Sequence, residues 1–116
     1  MTVDELYSRV VAGKPTILVD VRDASEYARF NIGGNRMTIA EIERNAAKLG
    51  KIKLTHTAVV SCVYFDSKRV PSAVKRLFDL GFNEVFALQG TRYGGGGLLV
   101  FSNKYPRVRI PKIILN

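Results

Sequence analysis

The sequence predicts a parallel α/β sheet with helices on both faces. Three observations predict it. Nearly continuous apolar runs at 16–21, 57–62 and 84–88 read as short strands buried on both faces. Helix start and stop signals lie between them. The resulting alternation of strand, helix and strand implies right-handed crossovers and parallel pairing.

The 116 residues suffice for one domain with a single core. The hydrophobic content of 47% and charged content of 24% are those of a globular chain, not a disordered one. No apolar run approaches the ~18 residues of a membrane span. Met1-Thr2-Val3-Asp4-Glu5 carries acids where a signal peptide carries bases. A cytoplasmic protein without membrane attachment is therefore expected. One cysteine, Cys62, cannot form an intrachain disulfide, which agrees with a reducing compartment.

Thr2-Val3-Asp4-Glu5 is a capping box. Leu6, Tyr7, Val10 and Val11 follow at helical spacing, and Gly13 with Pro15 forbids continuation, which predicts a helix over 3–12. Thr16 to Val21 is the first strand, with Asp20 and Arg22 at its C-terminal end, where open α/β sheets hold ligands. For Asp20 a linking or capping role is favoured over direct chemistry. Asp23-Ala24-Ser25-Glu26 is a second capping box and opens a helix through about Arg29. Asn31-Ile32-Gly33-Gly34-Asn35 is a turn whose glycines and asparagines tolerate positive φ. Thr38-Ile39-Ala40-Glu41 is a third capping box. The stripe Ile39, Ile42, Ala46 and Leu49 then predicts one helix closed by Gly50.

His56, the single histidine, lies at the strand end away from Cys62 and reads as a surface or capping residue. Thr57 to Cys62 is the second strand. Pro71 is expected to open a helix carrying Ala73, Val74, Leu77 and Phe78 and ending at Gly81. Glu84 to Leu88 is the third strand. The four glycines 94–97 argue against a helix there, and Leu98-Leu99-Val100-Phe101 reads as a small strand or core plug. Residues 104–116 form a basic tail. Pro106 and Pro111 limit it to an edge strand of the same domain or an extended segment.

The charge is uneven. Residues 1–50 hold 7 Lys/Arg and 7 Asp/Glu, so the whole net charge of +8 lies in 51–116, the half with Cys62. A basic field attracts anions. No nucleic-acid-binding motif accompanies it, which argues against nucleic acid as partner.

The chemistry concentrates on Cys62-Val63-Tyr64-Phe65-Asp66-Ser67-Lys68-Arg69. The thiolate is the reactive form of cysteine. Here a strand end, a following helix N-terminus and the cations Lys68 and Arg69 favour it, and successive loop amides can form an anion nest. Such a cysteine suits the carriage or attack of a charged group. The plainer reading of a lone cysteine at a strand end, inert core, is about as well supported by these features alone.

The ordered pieces resemble the single-domain rhodaneses, the thiosulfate sulfurtransferases, over about residues 3–100. Asp20-Val21-Arg22 followed by Glu26-Tyr27 is similar to that family's first strand end and helix. Asn31-Ile32-Gly33-Gly34 takes the place of its His-Ile-Pro-Gly turn. Val59-Val60-Ser61-Cys62 resembles the strand leading to the nucleophile, and Leu80-Gly81-Phe82 with Glu84 to Gly90 resembles the closing segment. The resemblance implies a three-layer sandwich over 1–103, with a mostly parallel five-stranded sheet between helices. It implies Cys62 as catalytic nucleophile and persulfide carrier, with no other cofactor and no metal. Val63, Tyr64, Phe65, Asp66, Ser67, Lys68 and Arg69 would bind the anion, and Asp20 and Arg22 would support the loop. The implied partners are a small anionic sulfur donor and a thiol or sulfur-acceptor protein.

The family's common loop is Cys, two residues, Gly, one residue, Arg, Ser. Here the glycine is absent and Arg69 stands seven positions after Cys62. Arg69-Val70-Pro71 is similar to the end of the longer loop in the cell-cycle phosphatases and arsenate reductases. In that register Val63 takes the nucleophile position. Three readings therefore stand: a sulfurtransferase, a phosphatase or arsenate reductase, and a non-catalytic module that binds an acidic partner. The family's first strand has no counterpart before Thr2, and residues 107–115 are expected to cover the edge it would occupy.

Overall fold

The computed structural model describes residues 1–62, 68–90 and 97–116. The strands are β1 (Thr16–Asp20), β2 (Asn35–Arg36), β3 (Thr57–Ser61) and β4 (Val85–Ala87). They form one sheet in the order β2-β1-β3-β4, with every pairing parallel. The helices are α1 (Val3–Val11), α2 (Ala24–Arg29), α3 (Ile39–Arg44), α4 (Ala46–Gly50), α5 (Arg69–Asp79) and α6 (Gly97–Lys104).

Every residue of β1 and β3 is buried, which is why their sequences are apolar without alternation. On one face Ile17, Val19, Ala58 and Val60 pack with Ile42, Leu49, Ala73 and Leu77 of α3, α4 and α5. On the other, Leu18 and Val59 pack with Val3, Leu6, Leu98 and Phe101 of α1 and α6. The result is the helix–sheet–helix sandwich that the sequence predicts. Among the described residues the sheet has four strands where five are expected. No described helix is long and apolar enough to cross a membrane.

All three capping boxes form, on Thr2, Asp23 and Thr38. Elsewhere the local signals are overridden. β2 has only two residues, Asn35 and Arg36, too short and polar to read as a strand; it exists because it pairs with Val19 and Asp20. The helix expected across 38–49 divides at Asn45, whose φ of −100° and ψ of 14° leave the helical well. The Asn45 side-chain amide donates instead to the Glu41 carbonyl at 2.7 Å. α5 begins at Arg69, two residues before Pro71. A proline in the first turn removes no intrahelical hydrogen bond, so the helix can start ahead of it.

Leu98 to Phe101 is helical, not a strand, and Gly97 is the first residue of that helix. A Cβ at Gly97 would stand 2.5 Å from Leu88 Cγ and 2.8 Å from its carbonyl oxygen. The glycine is thus required by close packing of α6 on the segment after β4, not by flexibility. In the turn before β2 only Gly33 and Gly34 adopt positive φ, and no described non-glycine residue does.

The tail meets the sheet at the β2 edge. Gly33 bridges Ile110 in parallel, with Ile110 N donating to Ile32 O at 2.8 Å and Gly34 N to Ile110 O at 2.9 Å. The buried Asn35 side chain then holds Ile113 at both its backbone groups, at 2.8 and 2.9 Å. The opposite edge carries Met1: its ammonium donates to Ala87 O at 3.0 Å, and Gln89 N donates to Met1 O.

Candidate active site

Cys62 stands one residue beyond β3, a central strand, and points to the α5 face with Val60 and Ala73. It is 4% exposed. α5 starts seven residues later at Arg69, so the positive end of that helix lies on the same side of the sheet as the sulfur. Lys68, the exposed residue before α5, makes no side-chain capping bond. Val63, Tyr64, Phe65, Asp66 and Ser67, five of the residues predicted to bind an anion, lie outside the described residues.

The Arg69 guanidinium reaches toward Cys62. Its Nη2 stands 3.5 Å from Cys62 Sγ, within hydrogen-bonding reach of sulfur. The same guanidinium is forked onto Glu26 of α2, Nη1 to Oε1 at 2.7 Å and Nη2 to Oε2 at 3.3 Å. This bidentate geometry holds the planar group in one orientation. The Arg69 hydrogen bond is the largest influence lowering the Glu26 pKa below the ordinary value. Reciprocally, Glu26 raises that of Arg69, with the Cys62 sulfur adding to it. Glu26 Oε1 also accepts from Asp23 N at 3.1 Å, so one oxygen serves both the α2 cap and the arginine.

Asp20 and Arg22 do not reach the sulfur; they build what lies beneath Glu26. They form a buried ion pair, Arg22 Nη2 to Asp20 Oδ2 at 2.7 Å and Nε to Oδ1 at 2.9 Å. Arg22 also donates to the Glu26 carbonyl at 3.2 Å and the Phe30 carbonyl at 2.9 Å. Its guanidinium also stands 4.9 Å from the centre of the Phe30 ring. A continuous set of contacts therefore runs from Asp20 through Arg22, the α2 backbone, Glu26 and Arg69 to Cys62.

Sequence reading assigned Glu26 to a capping box and overlooked it as a site residue. It lies 43 positions from Arg69, and only the tertiary fold brings it to the first residue of α5. His56 stands before β3, its Nδ1 2.8 Å from the Thr55 hydroxyl, at the far end from Cys62. No group of three His, Cys, Asp or Glu among the described residues could hold a metal ion.

No protein-family model matches the chain. No curated protein matches it in sequence. Solved structures do match it in three dimensions. One of them, yeast Ygr203w, is described as a homolog of single-domain rhodanese and of the Cdc25 phosphatase catalytic domain. It shares 18% identity over 90% of this chain and 80% of its own, with a TM-score of 0.63.

The fold is rhodanese-like.

A second structure of the same yeast protein calls it a protein tyrosine phosphatase of the rhodanese family and matches at a TM-score of 0.54. A Lactobacillus plantarum protein matches at 19% identity over 94% of this chain and 84% of that one, with a TM-score of 0.66. BH2092 from Bacillus halodurans matches at 23% identity and a TM-score of 0.65 over 78% of this chain. The match spans 65% of that protein's length. At these identities the likeness establishes the architecture.

Proposed function

We propose that the domain is a sulfurtransferase that moves a sulfane sulfur from thiosulfate or a persulfide donor, through a Cys62 persulfide, to a thiophilic acceptor. The observation that carries this reading is the Arg69 guanidinium held 3.5 Å from Cys62 Sγ. It is a cation oriented toward the one sulfur that could act as a nucleophile.

The chemistry balances without an outside oxidant. The Cys62 thiolate attacks the donor's outer sulfur. A new S–S bond forms at Sγ as the donor's S–S bond breaks, and the electron pair leaves on sulfite or on a thiolate. An acceptor thiolate then attacks the outer sulfur of the persulfide and releases the Cys62 thiolate. Arg69 stabilises negative charge at Sγ in both half-reactions. The only cofactor required is the covalent sulfur itself. A thiol or sulfur-acceptor protein completes the cycle, and the basic half of the chain favours an acidic surface on it.

The phosphatase reading is favoured by the description of yeast Ygr203w. Against it, six residues separate Cys62 from Arg69 here, one more than that loop pattern carries. Intact-mass spectrometry after treatment with thiosulfate or an alkyl hydropersulfide tests the proposal. A gain of one sulfur that is lost in Cys62→Ser is expected. No gain with either donor, alongside hydrolysis of an aryl phosphate, would replace it with the phosphatase reading. No gain and no hydrolysis would leave the binding module.

A further inference from the structure

Arg69 reaches Cys62 with its charge already opposed. The Glu26 carboxylate takes both of its η nitrogens, Asp23 adds a second carboxylate at the same helix start, and among the described residues it is this guanidinium that stands within hydrogen-bonding reach of the sulfur. An incoming dianion meets the guanidinium and the carboxylate together. The attraction to one is largely cancelled by repulsion from the other. A donor with one negative charge loses less than a dianion, and a neutral one loses little.

We infer that Glu26 is a positioning and specificity residue for Cys62: it fixes the Arg69 guanidinium against Sγ and neutralises it, so that the site selects hydropersulfide donors over dianionic thiosulfate. This rests on the sulfurtransferase reading above and narrows its substrate class. The transfer step is then R–S–SH with the Cys62 thiolate, giving Cys62–S–SH and the R–S⁻ leaving group. The proton stays on the transferred sulfur.

The geometry supplies an isosteric test. Glu26→Gln keeps a capping-box side chain at that position and an acceptor for Arg69, but removes the charge. Alkylation of Cys62 by iodoacetate, an anion, and by iodoacetamide, its neutral analogue, reads the local charge without any turnover. The iodoacetate-to-iodoacetamide rate ratio is expected to rise roughly three- to tenfold in Glu26→Gln, the effect of one unmasked, partly screened unit charge. In the double variant Glu26→Gln/Arg69→Met, which removes the pair as a unit, the ratio is expected to return toward wild type. Thermal melts of each variant separate a charge effect from loss of fold.

With sulfur donors, Glu26→Gln is expected to lower KM for thiosulfate with little change in kcat, and to leave KM for an alkyl hydropersulfide nearly unchanged. A rate ratio that does not move in Glu26→Gln, or a double variant that stays as high as the single one, overturns the role of Glu26. A wild type that accepts sulfur from neither donor overturns the sulfurtransferase reading instead, while the alkylation ratio still decides whether Glu26 sets the charge at Cys62.

Discussion

The Glu26 carboxylate grips the Arg69 guanidinium at 2.7 and 3.3 Å, tying α2 to the first residue of α5 across 43 positions of chain. Both residues stand on helix N-termini that face the end of β3. The link is therefore made where the sheet presents Cys62.

This link is expected to be pH-dependent. Glu26 has its pKa lowered by the Arg69 hydrogen bond first, so the folded state holds its carboxylate charged at pH values where the unfolded chain begins to protonate it. Its contribution to stability is fully present above the ordinary glutamate pKa and is lost as pH falls through the lower folded value. NMR titration of the Glu26 carboxyl should show a midpoint below that of a free glutamate. Arg69→Met should move it back up; a midpoint unaffected by that change would exclude the guanidinium as the cause.

Asp20→Ala should be severely destabilising. Asp20 is 0% and Arg22 1% exposed, so the variant leaves a buried guanidinium without its counter-ion. A loss of roughly 3–5 kcal/mol is expected from denaturant unfolding, the usual cost of breaking a buried pair from one side. A double change of Asp20→Leu with Arg22→Met should cost less than the single one, because no charge is then stranded.

Asn35→Ala should release the tail. The Asn35 amide makes two hydrogen bonds to Ile113 from a buried position, and alanine leaves both backbone groups without that partner. A loss of about 1–3 kcal/mol is expected, with faster hydrogen exchange at the Ile113 amide. Unchanged exchange there would show that Ile110, not Asn35, holds the segment.

Ser61→Ala should be neutral or stabilising. The Ser61 hydroxyl is buried directly before Cys62 and has no hydrogen-bond partner among the described residues. Removing an unsatisfied hydroxyl at constant shape relieves a desolvation cost of order 1 kcal/mol. A clear drop in the unfolding midpoint would mean that the hydroxyl is in use.

The apolar runs of β1 and β3 and the three capping boxes were legible in the sequence because each is a local pattern. Burial on both faces writes itself as an unbroken apolar run, and a capping box is fixed by residues three apart. Cys62 was legible as a strand end and Arg69 as a cation of the loop after it, though the helix was expected to open at Pro71 and opens at Arg69. β2 was not, since two polar residues become a strand only when β1 lies beside them. Nor was α6, whose leading glycine signals a break locally but is required by the approach of Leu88.

By itself, then, the sequence determined the layers of this domain and the cysteine at the end of its central strand. Only the tertiary structure decided what surrounds that cysteine. Glu26 satisfies the capping pattern of α2 whether or not an arginine is near. Its second partner is chosen when the parallel pairing of β1 with β3 brings the start of α5 within reach of its carboxylate. A charge pair between residues 43 positions apart leaves no periodic trace in the chain, because nothing local to either residue requires the other.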